Sequence, residues 1–148
     1  MQLALFVAVL LLDQISKFLI HFNFYLYESV SIIPRVLNFT YIRNEGIAFG
    51  INFPGSKIFF IIIPIVITYY LYRLLKDKDF QDYHSQLGLT LIISGAIGNI
   101  IDRIFRGYVV DFIDFYWGNY HWYVFNIADS SVTVGMILLL LSNFFNKK

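Results

Sequence analysis

At 148 residues, 58% of them hydrophobic, 20% aromatic and only 14% charged, the chain has too little polar surface to cover a water-soluble globule of its size. Its 11 basic and 10 acidic side chains leave a formal charge of +1 with no long basic run, so no nucleic-acid partner is expected. The absence of Cys excludes thiolate nucleophiles, disulfides and thiolate metal sites, and a mean hydropathy of +0.65 requires large apolar faces to meet lipid.

Four windows, about 3–22, 57–75, 87–106 and 124–145, are each apolar over about the 20 residues that a spanning helix needs. Continuous apolar runs such as Ile58 to Ile67 lack the alternation of an outer-membrane barrel. The first window has no basic leader and is interrupted by Asp13 and Lys17, so it reads as a retained helix, not a cleaved signal. Between windows one and two, residues 23–56 carry Ile32-Ile33-Pro34, Asn38 to Ile42, the turn-prone Asn44-Glu45-Gly46, and Ala48 to Ile51, a pattern of short strands around a turn. Arg73 near the end of window two, Lys76 and Lys78 just past it, and Lys147 and Lys148 at the end of the chain predict both termini on the cytoplasmic side. The connection Lys76 to Asp79 reads as a solvated charged loop. Residues 107–123, rich in Tyr, Phe and Trp, are expected to lie at the headgroup interface. The whole of 1–148 reads as one domain.

Ionisable groups inside spans cost about 2.5–3.5 kcal/mol each on insertion scales, so they face the bundle interior and mark function. Asp13 and Lys17 are four residues apart, the spacing of an ion pair on one helix face. Gly95, Gly98, Asn99 and Asp102 form one stripe on the third helix, with Arg103 beside it; the glycines suit close helix packing. Asn126 and Asp129 share a face at the head of the fourth. A rise of about 1.5 Å per residue places Asp102 and Asp129 both about 8 Å below the outer boundary of a core roughly 30 Å thick. Asp111, just past the third helix, can fold back to that plane, so three carboxylates gather in the outer leaflet.

Two carboxylates sharing one proton supply an acid and a base together, the chemistry of an aspartic protease, which needs neither cofactor nor metal. Spacing alone leaves Asp102 an equal candidate for that pair. His21, His84 and His121 are too dispersed for a metal motif, and no Gly-x-Ser-x-Gly elbow occurs; a Ser-Lys dyad on Lys17 would need a long-range contact. A proton-coupled transporter and a non-catalytic assembly partner also accommodate buried charges. The transporter, however, predicts polar residues at every depth and an internal repeat; here they crowd into the outer half, and no repeat is visible.

Five ordered blocks carry a resemblance: Asp13-Gln14-x-x-Lys17; Asn44-x-Gly46-x-Ala48-Phe49; Gly95-Ala96-x-Gly98-Asn99-x-x-Asp102-Arg103; Val109-Val110-Asp111-Phe112; and Phe125-Asn126-x-Ala128-Asp129-Ser130. Over nearly the whole chain the sequence resembles the bacterial lipoprotein signal peptidases (signal peptidase II). The resemblance implies an all-α membrane fold: a four-transmembrane-helix bundle with a small extracytoplasmic β-sheet cradle and a short interfacial helix. It implies an aspartyl endopeptidase that removes the signal peptide of prolipoproteins just before a diacylglyceryl-modified cysteine, with catalytic Asp111 and Asp129. Asp102 with Arg103 would be a supporting pair. Asn44, Gly46, Asn99, Arg103 and Asn126 would line the site, and Asp13 and Lys17 would fix the first helix to it. Ser94-Gly95 replaces the family's frequent Gly-Gly, and Ile47 a common Ala; neither is a catalytic position. The expected partners are lipidated prolipoproteins and membrane lipids, and the expected state is a monomer in the bacterial cytoplasmic membrane.

Overall fold

A computed structural model describes residues 2–46 and 56–146. Among the described residues four α-helices, α1 (Gln2–Asn23), α2 (Ser56–Leu75), α3 (Tyr83–Arg106) and α4 (Ile127–Asn146), accompany four strands, β1 (Ser29–Ile33), β2 (Leu37–Asn44), β3 (Val109–Trp117) and β4 (Tyr120–His121). By length and composition α1, α2 and α3 can cross a membrane, and α4 has a shorter apolar stretch, Ile127–Ser142. The segment Ala48 to Ile51 lies outside the described residues.

The third helix is the hub, packing against α1, α2 and α4, which is why its face is largely buried, whereas α2 buries almost none of its side chains fully. Its close contact with α4 depends on small residues: a Cβ at Gly95 would collide with the Ala128 carbonyl oxygen. The helix begins four residues before the apolar window because the Asp82 side chain caps it, accepting from Ser85 N–H at 3.0 Å. It ends at Gly107, whose φ of +78° lets its N–H close on the Arg103 carbonyl at 3.2 Å. The fourth helix starts later than hydropathy indicates. Phe125 is still paired with Ile113 of β3, and Asn126 then caps the helix by accepting from Asp129 N–H at 2.9 Å. The charged connection after α2 contains a 3₁₀ turn, Lys78–Phe80, capped by Asp77.

All four strands join in one antiparallel sheet, ordered β1-β2-β3-β4. The turn between β1 and β2 falls at residues 34–36, with Arg35 at φ +67°, instead of at Asn44-Glu45-Gly46, whose Asn44 is the last residue of β2. Residues 107–123 supply half of the sheet, as β3 and β4, and no interfacial helix occurs among the described residues. The segment is divided: Val109 to Phe112 and Asp114 are buried, whereas Trp117, Tyr120, Trp122 and Tyr123 are exposed. Aromatic content reports only that outer portion. Ile20 of α1, Tyr41 of β2, and Val110 and Phe112 of β3 form a small core that fastens the sheet to the bundle.

Candidate active site

Lys17 is fully buried, so its ammonium must be paired within the protein. Its Nζ lies 2.8 Å from Asp13 Oδ2, 3.3 Å from Asp102 Oδ2 and 2.9 Å from Asn99 Oδ1. The remaining oxygen of Asp13 accepts from Ala128 N–H at 2.9 Å, so α1 grips the first turn of α4. Gln14 extends the grip, donating to Asp13 Oδ2 and to the Gly98 carbonyl, each at 3.1 Å. A Cβ at Gly98 would stand 2.5 Å from Asp13 Oδ2, so this close approach requires glycine there.

Asp102 differs from its expected pairing. Its partners are Lys17, Arg106 and the Val110 N–H at 3.1 Å, not Arg103. Adjacent residues on a helix diverge by about 100°, whereas residues four apart share a face, so Arg106 is the stereochemical partner. Asp102 thereby ties α1, α3 and the start of β3 together. Arg103 instead donates weakly to the Asn99 carbonyl at 3.5 Å, and its buried Nε has no hydrogen-bond partner among the described residues.

Asp111 and Asp129 meet through two asparagines. Asn126 Nδ2 donates to Asp111 Oδ1 at 2.6 Å and sits 3.3 Å from Asn99 Oδ1, and Asn99 Nδ2 donates to Asp129 Oδ1 at 2.8 Å. Since Asn99 Oδ1 is occupied by Lys17 and Asn126 Oδ1 by Asp129 N–H, both amides are held with their NH₂ groups toward carboxylates. From the sheet, Asn44 Nδ2 donates to Asp111 Oδ2 at 3.0 Å. Gly46, at φ +79°, orients that amide by donating its N–H to Asn44 Oδ1 at 2.9 Å.

Asp111 is 1% exposed. Burial first, and the neighbouring Asp129 charge second, push its carboxyl up to about 7, against the opposing pull of the Asn44 and Asn126 hydrogen bonds and Lys17. A buried acid that keeps its proton near neutrality beside a second carboxylate can act as a general acid. Asp129 borders a cavity of about 400 Å³ lined by Trp122, Tyr123, Phe125, Ser130, Thr133 and Val134, an apolar slot with a carboxylate at its wall.

All ten residues singled out from the sequence thus fall in one region, where α1, α3, the sheet and the head of α4 converge. Ala48 and Phe49 of the second block lie outside the described residues. Sequence reasoning missed Arg106, which the four-residue spacing from Asp102 could have supplied.

The signal peptidase II family model matches residues 5–145. The lipoprotein signal peptidase of Haemophilus ducreyi is 46% identical over 143 residues, spanning 95% of this chain and 88% of that protein. The Pasteurella multocida lipoprotein signal peptidase is 46% identical over 141 residues, covering 93% and 84%. A solved structure described as a bacterial membrane enzyme, determined by the in meso method at 2.3 Å resolution, superposes with a TM-score of 0.87 at 39% identity, over 99% of this chain and 91% of that one. With this family match running nearly end to end, the chain belongs to the signal peptidase II family of membrane peptidases.

Proposed function

We propose that this peptidase cuts the signal peptide from prolipoproteins immediately before a diacylglyceryl-modified cysteine, using Asp111 and Asp129 as an aspartyl dyad. The observation that carries the reading is the pair of carboxylates, a buried Asp111 from β3 and a half-buried Asp129 from α4, bridged by Asn99 and Asn126. Asp111, pushed up to about 7, is the acid of the pair, and Asp129, in the first turn of α4, is the base.

In the proposed reaction Asp129 takes a proton from water as the water oxygen attacks the scissile carbonyl carbon. Asp111 donates its proton to the carbonyl oxygen, giving a neutral tetrahedral gem-diol. Collapse breaks the C–N bond: the leaving nitrogen takes the proton from Asp129, and a gem-diol hydroxyl returns one to Asp111, restoring both groups. The unpaired Nε of Arg103 suits a substrate backbone carbonyl. Asp13, Lys17 and Asp102 hold the frame.

The same reading sets α1 to α4 as four crossings of the bacterial cytoplasmic membrane, with both termini cytoplasmic, the sheet extracytoplasmic and the protein monomeric. The dyad then lies at the depth where a signal helix ends and a lipidated cysteine meets the outer surface. Cleavage of a diacylglyceryl-modified prolipoprotein by the purified protein, beside an unlipidated substrate, EDTA and Asp129→Asn, tests it. The expected result is lipid-dependent, EDTA-resistant cleavage absent from the variant; a folded but inactive wild-type protein would overturn the reading and turn attention to proton flux.

A further inference from the structure

The sheet holds a row of polar side chains that the dyad does not use. Ser29 Oγ of β1 lies 2.8 Å from Thr40 Oγ1 of β2, and Thr40 Oγ1 donates to Asp114 Oδ2 of β3 at 2.8 Å. His121 Nδ1 of β4 lies 2.9 Å from Asp114 Oδ1, its ring stacked on Tyr116. Asp114 is 3% exposed, so a carboxylate is buried in the sheet and clasped from the strands on both sides.

Thr40 sits at a bulge. Phe39 pairs with Ile113 but Ile42 pairs with Asp111, so Thr40 and Tyr41 together stand opposite Phe112. Side chains alternate along a strand, so this one extra residue decides which face Asn44 occupies. Continued without the bulge, the Phe39–Ile113 register would set Arg43 opposite Val109 and turn Asn44 to the face away from Asp111. With it, Asn44 pairs with Val109, on the face of Asp111, and its amide reaches the carboxylate at 3.0 Å.

We propose that Thr40 and Asp114 are positioning residues for the hydrolysis: their hydrogen bond, braced by His121, pins the β2 bulge that delivers Asn44 to Asp111. The inference rests on the proposed dyad. It requires that Thr40 act through Asn44 alone, although Asp111 is also faced by Asn126 and Asp129 at the head of α4, Lys17 of α1 and Arg103 of α3.

The experiment compares prolipoprotein cleavage by the full chain in detergent for wild type, Thr40→Val, Thr40→Ser, Asn44→Ala, the Thr40→Val/Asn44→Ala double variant and Asp111→Asn. Thr40→Val keeps the shape and removes the donor. The expected result is a fall in kcat of about fivefold with KM within about twofold, rescue by Thr40→Ser, and less than about a twofold further loss when Thr40→Val is added to Asn44→Ala. Thr40→Val also moves the alkaline limb of the pH profile upward, as Asn44→Ala does; loss of folded protein would scale the rate equally at every pH. Wild-type turnover by Thr40→Val, or the same factor lost with and without Asn44, overturns the inference. Full turnover by Asp111→Asn removes the dyad and the inference with it, a pattern distinct from either.

Discussion

The two ends of the bundle bury polar groups for different purposes. Away from the dyad, Ser85 and Ser142 meet at 3.0 Å, Ser142 donates to Asp82 at 2.7 Å, and Gln86 donates to the Leu75 and Phe80 carbonyls at 2.9 and 2.7 Å. Those groups are mostly neutral and satisfy the ends of helices. At the dyad end Asp13, Lys17, Asp102 and Asp111 are all at most 1% exposed, and each carries or can carry a charge. Neutral caps stabilise a helix terminus at modest desolvation cost, whereas buried charges are tolerated only as a complete set. The dyad end therefore has the form of a site, and the other end that of a fastening.

The largest effect expected from this contrast is on chemistry alone. Asp111→Asn and Asp129→Asn are expected to lower cleavage by about 10³-fold or more while the protein still inserts and folds, as followed by turnover beside thermal unfolding in detergent. Near-normal turnover by either would remove the dyad. Next comes Lys17→Met, which strands two buried carboxylates and is expected to cost about 3–5 kcal/mol of stability. Denaturant titration of the inserted protein checks this, and a loss below 1 kcal/mol would mean that the charges at this end are not a coupled set. Asp102→Asn should fall between these, with a smaller, folding-linked loss of activity.

Asn44→Ala is expected to slow cleavage about tenfold and to reshape its pH dependence. Rate falls as pH rises through the Asp111 value of about 7, because the acid loses its proton. Asn44 donates to the charged carboxylate and so lowers that value; removing it raises the value and moves the falling limb to higher pH. A limb that stays fixed or moves down contradicts the assignment of Asp111 as the acid.

The smallest effect belongs to the other end. Asp82→Ala removes a helix cap and is expected to cost about 1 kcal/mol, with the rate per folded molecule unchanged. Burial pushes Asp82 up, but hydrogen bonds from Ser85, Ser142 and the His84 backbone outweigh it and hold the carboxyl at about 2. A folded value below the ordinary 3.8 means that this stabilisation is present above about pH 4 and is lost as pH falls through 2. In the variant, unfolding midpoints should lose that acid-side dependence.

Much of the site was legible because helices advertise it. Asp13 with Lys17, and Asn99 with Asp102, follow the three-to-four-residue spacing that puts side chains on one face. The same rule exposes the Asp102–Arg103 pairing as an error, since neighbours in sequence point apart. The assignment of catalysis to Asp111 over Asp102 came from the resemblance, because depth and spacing treat the two alike. β3 was hidden: Val109 to Phe112 is covered on both faces and Phe115 to Trp117 is rich in aromatics, so no clean alternation marks a strand. The β2 bulge has no sequence sign at all, being a property of pairing. Asn126 was recoverable as a helix cap, its side chain accepting from the backbone three residues on, but the apolar window ran past it.

The double duty of Asn126 has a consequence for the making of the protein. The side chain that caps α4 also binds Asp111, so seating the helix and assembling the proposed dyad draw on the same residue. α4 is synthesised after every other described element. A ribosome-bound chain holding α1, α2, α3 and the sheet has one carboxylate of the pair and no acceptor for the water proton. Under the proposed mechanism, hydrolysis is thereby deferred until the last helix docks.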